Sequence, residues 1–208
     1  MTTTHPPDPD GTGLDLAVPW PDEALMGRLY ARLGREAEAT GVLDIAYGTL
    51  DTPVGSLLLA ATERGVIRVA FAAQDHEAAL QQLSDKVSPR ILQAPARLDV
   101  VSRQLDEYFD GRRHTFDVPL DWTLASGFRR TALDRLYDIG YGHTATYAEL
   151  AAAAGSPRAV RAAGTACATN PLPLVVPCHR VVRADGSIGR YAGGVDAKRY
   201  LLGMESST

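Results

Sequence analysis

Cysteine is scarce in this sequence, and its scarcity restricts the possible chemistry. The 208 residues contain two cysteines, Cys167 and Cys178, which are too few for a disulfide framework. Neither belongs to a CxxC pair or to a Cys/His spacing typical of structural zinc. We therefore predict that the protein holds no metal, and each thiol has to be interpreted singly.

Long apolar runs are also missing. No stretch approaches the roughly 18 residues that span a bilayer, and the first ten residues have neither the basic start nor the apolar stretch of a secretory signal peptide. These absences predict a cytoplasmic protein that is not bound to a membrane. Hydrophobic residues make up 45% and charged residues 22% of the chain, which is the composition of an ordinary globular protein.

Charge is unevenly divided along the chain, although the formal net charge is only -4. Residues 1–122 carry 11 Lys and Arg against 19 Asp and Glu, whereas residues 123–208 carry 10 against 6. A basic C-terminal half is weak evidence for a polyanionic partner. An ordinary solvated basic face explains the asymmetry equally well at this point.

The first half of the chain predicts a leader, a helix and a small α+β domain. Residues 1–20 are rich in Pro, Asp and Gly and predict a flexible leader, and apolar spacing over residues 22–40 predicts one helix. Apolar segments bounded by turn signals then predict an antiparallel meander, two helices and a further strand. The segments are the strands 45–50, 56–61 and 66–71, the helices 75–87 and 98–109, and the strand 114–120. We divide the chain into an extension (1–40), an α+β domain (41–122) and a C-terminal domain (123–208).

The C-terminal half predicts a helix-turn-helix. Its helices are predicted over residues 128–139, 147–154, 157–168 and 196–204. Gly155 ends the second helix, and Ser156 followed by Pro157 is a typical start for the third, which gives the helix-turn-helix order. Small residues and two arginines in that third helix fit either a close approach to nucleic acid or tight packing against another helix.

A rigid apolar segment leads to the second cysteine. Three prolines bracket residues 170–177, and Cys178 is followed directly by His179 and Arg180. Positive charge or an imidazole beside a thiol lowers its pKa, and a cysteine nucleophile needs a base that a third group orients. The pattern predicts a Cys178 of lowered pKa with His179 as its base. The glycine-rich residues 186–194 predict either a loop that approaches a flat ligand or a wide turn.

Two flanking motifs give this segment a resemblance to a known family. Pro177-Cys178-His179-Arg180-Val181 follows Asn170-Pro171 and precedes Gly189-Arg190-Tyr191-Ala192-Gly193-Gly194. In this order the motifs closely resemble the active-site signature of the O6-alkylguanine-DNA alkyltransferases. The resemblance is continuous over about residues 128–205, looser over 45–122, and leaves residues 1–40 as an extension. It implies an α+β fold, in which a ribonuclease-H-like domain with an antiparallel sheet precedes a mostly helical domain with a helix-turn-helix and the active-site cysteine.

The resemblance implies DNA repair by a protein that acts once. An alkyl group would pass from O6 of guanine, or less efficiently from O4 of thymine, to the sulfur of Cys178, which leaves a restored base and an inactivated protein. His179 would be the water-mediated base and Glu205 the carboxylate that orients it. Tyr147 matches the tyrosine that donates to the departing base, and Lys198 matches a lysine near the thiol. No cofactor is implied.

The resemblance also assigns residues to the lesion and to DNA. Asn170 matches the asparagine that braces the turn before the cysteine, and Arg161 matches the arginine that fills the base stack when the damaged nucleotide flips out. Positions at the guanine are matched by Val181, Tyr191 and Ala192. Further DNA contacts are implied for Arg158, Ala162 and Gly164 of the same helix as Arg161. The implied partner is double-stranded DNA, bound through its minor groove by a monomer with no obligate protein partner.

Other functions are weighed against this one. One alternative is a protein that binds alkylated bases without transferring the group, but relatives of that kind lack the cysteine that is present here as Cys178. A second is a cysteine hydrolase, which brings its histidine from a distant part of the chain, whereas His179 is adjacent to Cys178. A third is a redox-sensing thiol, which needs a clearly placed resolving cysteine. Cys167 is expected to be a buried structural residue. Two departures from the family pattern, Gly140 in place of Pro and Leu136 in place of Trp, affect local packing.

Overall fold

The computed structural model describes residues 22–206, and the leader predicted for residues 1–20 lies outside them. The predicted α+β class is confirmed. The helices are α1 (Glu23–Ala39), α2 (His76–Lys86), α3 (Asp99–Phe109), α4 (Gly127–Asp134), α5 (Tyr147–Ala153), α6 (Val160–Ala168) and α7 (Gly194–Ser206). The strands are β1 (Ile45–Leu50), β2 (Leu57–Thr62), β3 (Gly65–Phe71), β4 (Ile91–Gln93), β5 (Ala145–Thr146) and β6 (Val181–Val182).

The first half of the described chain is built on a four-stranded sheet in the order β3-β2-β1-β4. The predicted antiparallel meander is confirmed, since β1 pairs with β2 and β2 with β3 in antiparallel register. The sequence analysis missed β4, which joins the sheet edge parallel to β1. Three residues after a Ser-Pro pair are too few to show the alternation that identifies a strand.

Both faces of this sheet are covered. On one face, Ile45, Ala60 and Ile67 pack with Leu83 of α2. On the other, β2 and β3 pack against α3. Burial on both sides explains why β2 is a continuous apolar run instead of an alternating one.

The segment 114–120, predicted as a strand, is not one. Its main contact with the sheet is an isolated bridge between Leu120 and Val66. The Gln104 side chain takes the place of a neighbouring strand, because it accepts from the Asp117 N–H (2.8 Å) and donates to the Asp117 carbonyl (3.0 Å). Pro119 also lacks the N–H that a ladder requires.

The connection between the two halves is fixed to the sheet. The Val66 N–H donates to the Pro119 carbonyl (2.9 Å), and the Asp121 N–H donates to the Val66 carbonyl (2.8 Å). Gly65 has a φ of 135°, and a Cβ at this position would lie 2.2 Å from the Pro119 oxygen. Glycine is therefore required where the hairpin meets the connection.

The second half of the chain is mostly helical and shares its core with the first. Leu133 of α4, Leu150 of α5, Ala163 of α6 and Leu201 of α7 belong to the same buried cluster as Leu57 of β2. The clustered apolar side chains run without interruption from the sheet to the helices. The two halves are thus packed together around one core, with the active-site segment inside it.

The helix-turn-helix is present, with corrected boundaries. Thr146 caps α5 by accepting from the Glu149 N–H, and Glu149 bonds back to the Thr146 N–H, which is a capping box. The helix predicted over 157–168 begins only at Val160, because the Ala159 N–H bonds to the Ser156 carbonyl in a separate turn. The helix predicted over 128–139 ends at Asp134 and continues as one 3-10 turn.

The predicted helix over 22–40 exists as α1, but its apolar face is not buried. Leu25, Leu29, Tyr30 and Leu33 are between 38% and 50% exposed. The contact with the sheet is made instead near the helix C-terminus, where Ala37 packs in the cluster of Leu43, Ala46 and Ala94. Helical spacing of apolar residues predicted the helix correctly, but the apolar face that it identifies is not the one that contacts the sheet.

Candidate active site

Asn170 shapes the segment that carries the cysteine. Its side-chain amide donates to the Val176 carbonyl (2.9 Å), and its oxygen accepts from the Leu172 N–H (3.0 Å). Between these contacts Leu174 has a φ of 73°, a left-handed conformation that costs a non-glycine residue roughly 1–2 kcal/mol. Leu174 is 1% exposed. The structure thus places Asn170 as the brace of a tight, buried turn.

Cys178 follows this turn and is buried, with 3% of its surface exposed. Burial raises the pKa of its thiol to about 11, although the Asn170 side chain and the charge of Lys198 act in the opposite direction. The prediction of a lowered pKa is therefore wrong. Desolvation disfavours the thiolate, and the Arg180 charge that was expected to favour it is bonded to another group.

His179 lies beside the thiol in sequence and is completely buried. Its Nε2 is 2.8 Å from Oε1 of Glu205, while its Nδ1 has no hydrogen-bond partner among residues 22–206. Burial lowers the pKa of His179, so the imidazole is neutral at neutral pH. Since a carboxylate can only accept, Nε2 must carry the hydrogen and Nδ1 is the basic nitrogen.

Glu205 of α7 is the buried carboxylate on which this arrangement converges. Arg180 donates to both of its oxygens, at 2.8 and 3.0 Å, and the Tyr108 hydroxyl donates to Oε1 at 2.7 Å. A third element contributes through the Gly142 N–H, 3.3 Å from Oε2. Although burial opposes ionisation, the hydrogen bonds from His179, Arg180 and Tyr108 lower the pKa of Glu205 to about 2.

Tyr108 and Arg180 were not identified by the sequence analysis as partners of Glu205. Arg180 could have been, because it follows His179 directly and needs a carboxylate when buried. Tyr108 gave no signal, because it lies 97 residues before Glu205 on α3 and is one of eight tyrosines. Its presence connects the first half of the chain to the site.

Lys198 is buried next to the segment after the cysteine. It is 1% exposed, and its Nζ donates to the Val181 carbonyl at 2.5 Å. Burial lowers the pKa of Lys198. The structure thus brings Lys198 and Val181 together, as expected for residues near the thiol.

Two tyrosines border the same region. Burial, and then the neighbouring thiols of Cys167 and Cys178, raises the pKa of Tyr147, so its phenol stays protonated. A Cβ at Gly189 would lie 2.8 Å from the Tyr147 hydroxyl oxygen, so the tyrosine approaches the backbone of the glycine-rich segment closely. The Tyr191 ring stacks edge-on against Phe71 at 5.3 Å, and its buried hydroxyl has no partner within the described chain.

The predicted lesion and DNA residues occupy two different environments. Ala192, beside Tyr191, is half-buried, whereas Arg158, Arg161 and Ala162 are exposed and Gly164 is half-buried. On the opposite side of α6, Ala163, Ala166 and Cys167 face the core. The small residues on the inner side of α6 permit tight packing against the core. The outer side of α6 is an open surface that carries arginines.

Cys167 is buried, and burial raises the pKa of its thiol strongly. Within residues 22–206 there is no group of three or more His, Cys, Asp or Glu side chains that could hold a metal ion. None of the helices in that part of the chain is long and apolar enough to cross a membrane. The chemistry available at the site is that of the Cys178 thiol, a neutral imidazole and a buried carboxylate, with the Cys167 thiol also near Tyr147.

Two family models match most of this chain. Residues 127–207 match the model described as 6-O-methylguanine DNA methyltransferase, DNA binding domain. Residues 45–122 match the model described as 6-O-methylguanine DNA methyltransferase, ribonuclease-like domain.

Curated proteins and solved structures agree with these matches. The constitutive methylated-DNA–protein-cysteine methyltransferase of Bacillus subtilis is 37% identical over 163 residues, which cover 76% of this chain and 94% of that protein. The protein of that name from Methanosarcina barkeri is 34% identical, with coverage of 77% and 97%. A crystal structure of Mycobacterium tuberculosis OGT in complex with DNA is 34% identical, with a TM-score of 0.68 and coverage of 78% and 93%.

The Glu205 network makes folding sensitive to acid. Because the folded-state pKa of Glu205 is depressed, its contribution is present above the unfolded value near 4.5 and is lost as the pH falls towards about 2. At 1.36 kcal/mol per pKa unit this amounts to about 3 kcal/mol. We expect Glu205→Gln to be less stable at neutral pH and to lose this part of the pH dependence, measured by urea unfolding between pH 7 and pH 2.5.

The control for this measurement is Asp138→Asn, which removes an exposed carboxylate outside the network. It should retain the acid sensitivity of the unmodified protein. Equal pH dependence in the Glu205→Gln variant and the unmodified protein would show that Glu205 is not held as an ionised group.

Proposed function

This chain belongs to the 6-O-methylguanine DNA methyltransferase family, and on that premise we propose that it repairs alkylated DNA by transferring the alkyl group to the sulfur of Cys178. The proposal rests on one observation above all: a buried thiol is followed by a neutral imidazole whose Nε2 is bonded to Glu205 and whose Nδ1 is unpartnered among the described residues. This is the arrangement of a nucleophile, its base and the group that orients the base.

The base is needed because the thiol is not ionised at rest. With a pKa of about 11, Cys178 is almost entirely a thiol at neutral pH. His179, kept neutral by burial, accepts the thiol proton on Nδ1 through a water molecule. Glu205 stabilises the imidazolium that forms, because Oε1 already accepts from Nε2. The thiolate is therefore produced only as it reacts.

The transfer is a displacement at carbon. The thiolate forms an S–C bond to the alkyl carbon while the bond from that carbon to O6 of guanine breaks, and the guanine takes up a proton as it leaves. Tyr147, protonated before the reaction, donates that proton. The proton that His179 took from the thiol then returns through water to the Tyr147 phenolate, so the net result is transfer of the thiol proton to guanine. A thioether is a poor leaving group, so Cys178 is not regenerated and each protein molecule acts once. O4-alkylthymine fits the same chemistry less efficiently.

The lesion is bound by the residues that surround the thiol. Backbone groups of Val181 and Ala192 read the edge of the guanine, and the ring of Tyr191 forms one wall. Lys198 holds the Val181 carbonyl in place. Asn170 fixes the turn that presents the cysteine. The step uses no metal or cofactor in this proposal.

Access to the lesion requires DNA binding and base flipping, because O6 of guanine is out of reach inside a duplex. In this proposal the exposed surface of α6 enters the minor groove, where Ala162 and Gly164 permit close approach and Arg158 supplies charge. Arg161 fills the space of the flipped nucleotide. The protein works as a cytoplasmic monomer without an obligate protein partner.

The covalent product provides the first test. Incubation with a duplex that contains one O6-methylguanine should add about 14 Da to the peptide with Cys178 and saturate at one methyl per protein, as expected for a thiol nucleophile that is not regenerated. Intact and peptide mass spectrometry measures this.

Two variants serve as controls for the mass measurement. Cys167→Ser should still be methylated, and Cys178→Ala should bind the duplex without being methylated. Methylation of Cys167 in place of Cys178 would refute the assignment of the acceptor. Duplex binding without any mass increase would refute the transfer reaction.

The flipping role of Arg161 makes a second prediction. Arg161→Ala should slow methyl transfer from duplex DNA by about tenfold or more, since the vacated stack is no longer filled, but leave transfer from the free base O6-methylguanine unchanged. Single-turnover rates on both substrates measure the difference. Arg35→Ala, which removes an exposed arginine on α1, is the matched control. Equal slowing on both substrates would contradict this role.

A further inference from the structure

A polar cleft lies between the sheet and the helical half, and Cys178 is not among the residues that line it. It has a volume of about 460 Å³ and is lined by side chains from β3, α2 and α4, by the end of α6 and by the residues that follow it. Three of the lining side chains are cationic: Arg68, Lys86 and Arg129. No aspartate or glutamate of the described chain lines it. The cleft is therefore positive, although the first half of the chain is strongly acidic.

The three cations have no carboxylate partner within residues 22–206. Most arginines of the first half of the described chain form ion pairs, for example Arg64 with Asp121 and Arg90 with Asp44. Arg68, in the same half, forms none, and neither do the other two cations of the cleft. Asp121 accepts from Thr123 at the cleft wall, yet its charge is already paired with Arg64. None of the three cations forms an ion pair within 4.0 Å in the described chain.

Arg68 shows that this charge lacks a ligand. Its side chain is half-buried, and its Nε is fully enclosed without a hydrogen-bond partner among the described residues. Burial lowers the pKa of Arg68, which reflects the cost of removing a guanidinium from water. Buried donors of this kind are nearly always satisfied in proteins. The Arg68 side chain lines the cleft, and an anion bound there would compensate its charge.

The surrounding groups are donors with a fixed geometry. One arm of Arg129 donates to the Leu124 carbonyl, which orients the guanidinium while its other N–H groups stay available. Gln74 accepts from the Phe71 N–H through its oxygen, which leaves its amide NH2 as a donor. Guanidinium forks and amides match the oxygens of a phosphate. We propose that this cleft binds a phosphate group through Arg68, Arg129 and Lys86.

The position of the cleft favours a phosphate of the DNA backbone. Ala168 and Thr169, at the end of α6, line it, and Arg161 lies two helical turns earlier on the same exposed side. Seven residues of helix span about 10.5 Å, which equals about three base-pair steps at roughly 3.4 Å of rise along the duplex axis. A duplex bound on α6 would place a backbone phosphate at the cleft. If the phosphate belongs to DNA, the inference rests on the proposed DNA binding. The alternative is that the cleft binds a free phosphate.

The cleft also contacts the turn that carries the cysteine. Asn170 and Pro171 line it, and the Pro171 carbonyl accepts from the Val69 N–H at 2.8 Å, one residue after Arg68. A phosphate bound there would therefore lie against the brace of the active-site segment without touching the reacting atoms.

The salt dependence of duplex binding tests the proposal. The double variant Arg68→Gln/Arg129→Gln should bind an undamaged duplex more weakly, and the slope of log K against log salt should fall by about 0.9 for one lost phosphate contact. Arg35→Gln should change neither quantity. Lys86→Glu should also weaken duplex binding. Because Lys86 is exposed, this variant should fold normally, and it provides the test if the double variant does not fold.

A second arm separates the two sources of phosphate. Inorganic phosphate and pyrophosphate are titrated by calorimetry into the unmodified protein and the double variant. If duplex binding is unaffected but these anions bind the unmodified protein and not the variant, the site takes a free phosphate. If neither the duplex slope nor anion binding changes in the variants, the proposal is overturned.

Methyl transfer from the free base O6-methylguanine keeps this test separate from the proposed function. The cleft variants should transfer at the unmodified rate, because none of the three residues lies at the reacting atoms. Absence of transfer to Cys178 in the unmodified protein from a methylated duplex as well as from the free base, together with a reduced salt slope in the variants, would refute the repair function and leave the phosphate site in place. Normal transfer with no change in either arm would refute the phosphate site alone.

Discussion

A single buried carboxylate organises this molecule. Glu205 accepts from His179, Arg180, Tyr108 and the Gly142 backbone, so that one charge fixes groups from three separate parts of the chain. A buried ion is tolerated only when it is paired and its lone pairs are satisfied. Removal of any one donor would leave the others with an incompletely satisfied charge. The last helix is thereby bound to α3 of the first half as well as to the active-site segment.

The same carboxylate decides the protonation of the site. Its ionised state requires the hydrogen of His179 to be on Nε2, which leaves Nδ1 as the base. Burial keeps the imidazole neutral and the Cys178 thiol protonated. A thiol in this state reacts poorly with solvent electrophiles, because the thiolate is the reactive form. The site is thus suited to a nucleophile that is used once and must not be consumed before it meets its substrate.

Local sequence patterns predicted much of the fold and the centre of the site. The meander, the capped α5 and the turn at Gly155 follow from short-range rules, and Cys178 and His179 are adjacent in the chain. The start of α6 was predicted too early, because Ser156 and Pro157 form a separate turn although both are common at helix starts. The lowered thiol pKa was also wrong, since adjacency to a charge does not reveal the degree of burial.

Long-range contacts account for what the sequence could not give. Glu205 was assigned to His179 only through the resemblance to a family, and Tyr108 was missed because its partner is 97 residues away. The cationic cleft needs side chains from three elements, and their lack of carboxylate partners is visible only in the folded chain. The exposed apolar face of α1 also shows what local patterns leave out. Periodicity identifies an apolar face of a helix, but it does not indicate whether another part of the protein covers that face.

The tautomer of His179 tests the central claim most directly. Nitrogen NMR of the imidazole, with Glu205→Gln as the comparison, measures which nitrogen carries the hydrogen at neutral pH and where the ring titrates. The account predicts a neutral ring with hydrogen on Nε2 and a pKa below the ordinary value of about 6.5. An imidazolium at pH 7, or a neutral ring with hydrogen on Nδ1, would contradict it, because neither form could accept the proton of Cys178 on the free nitrogen.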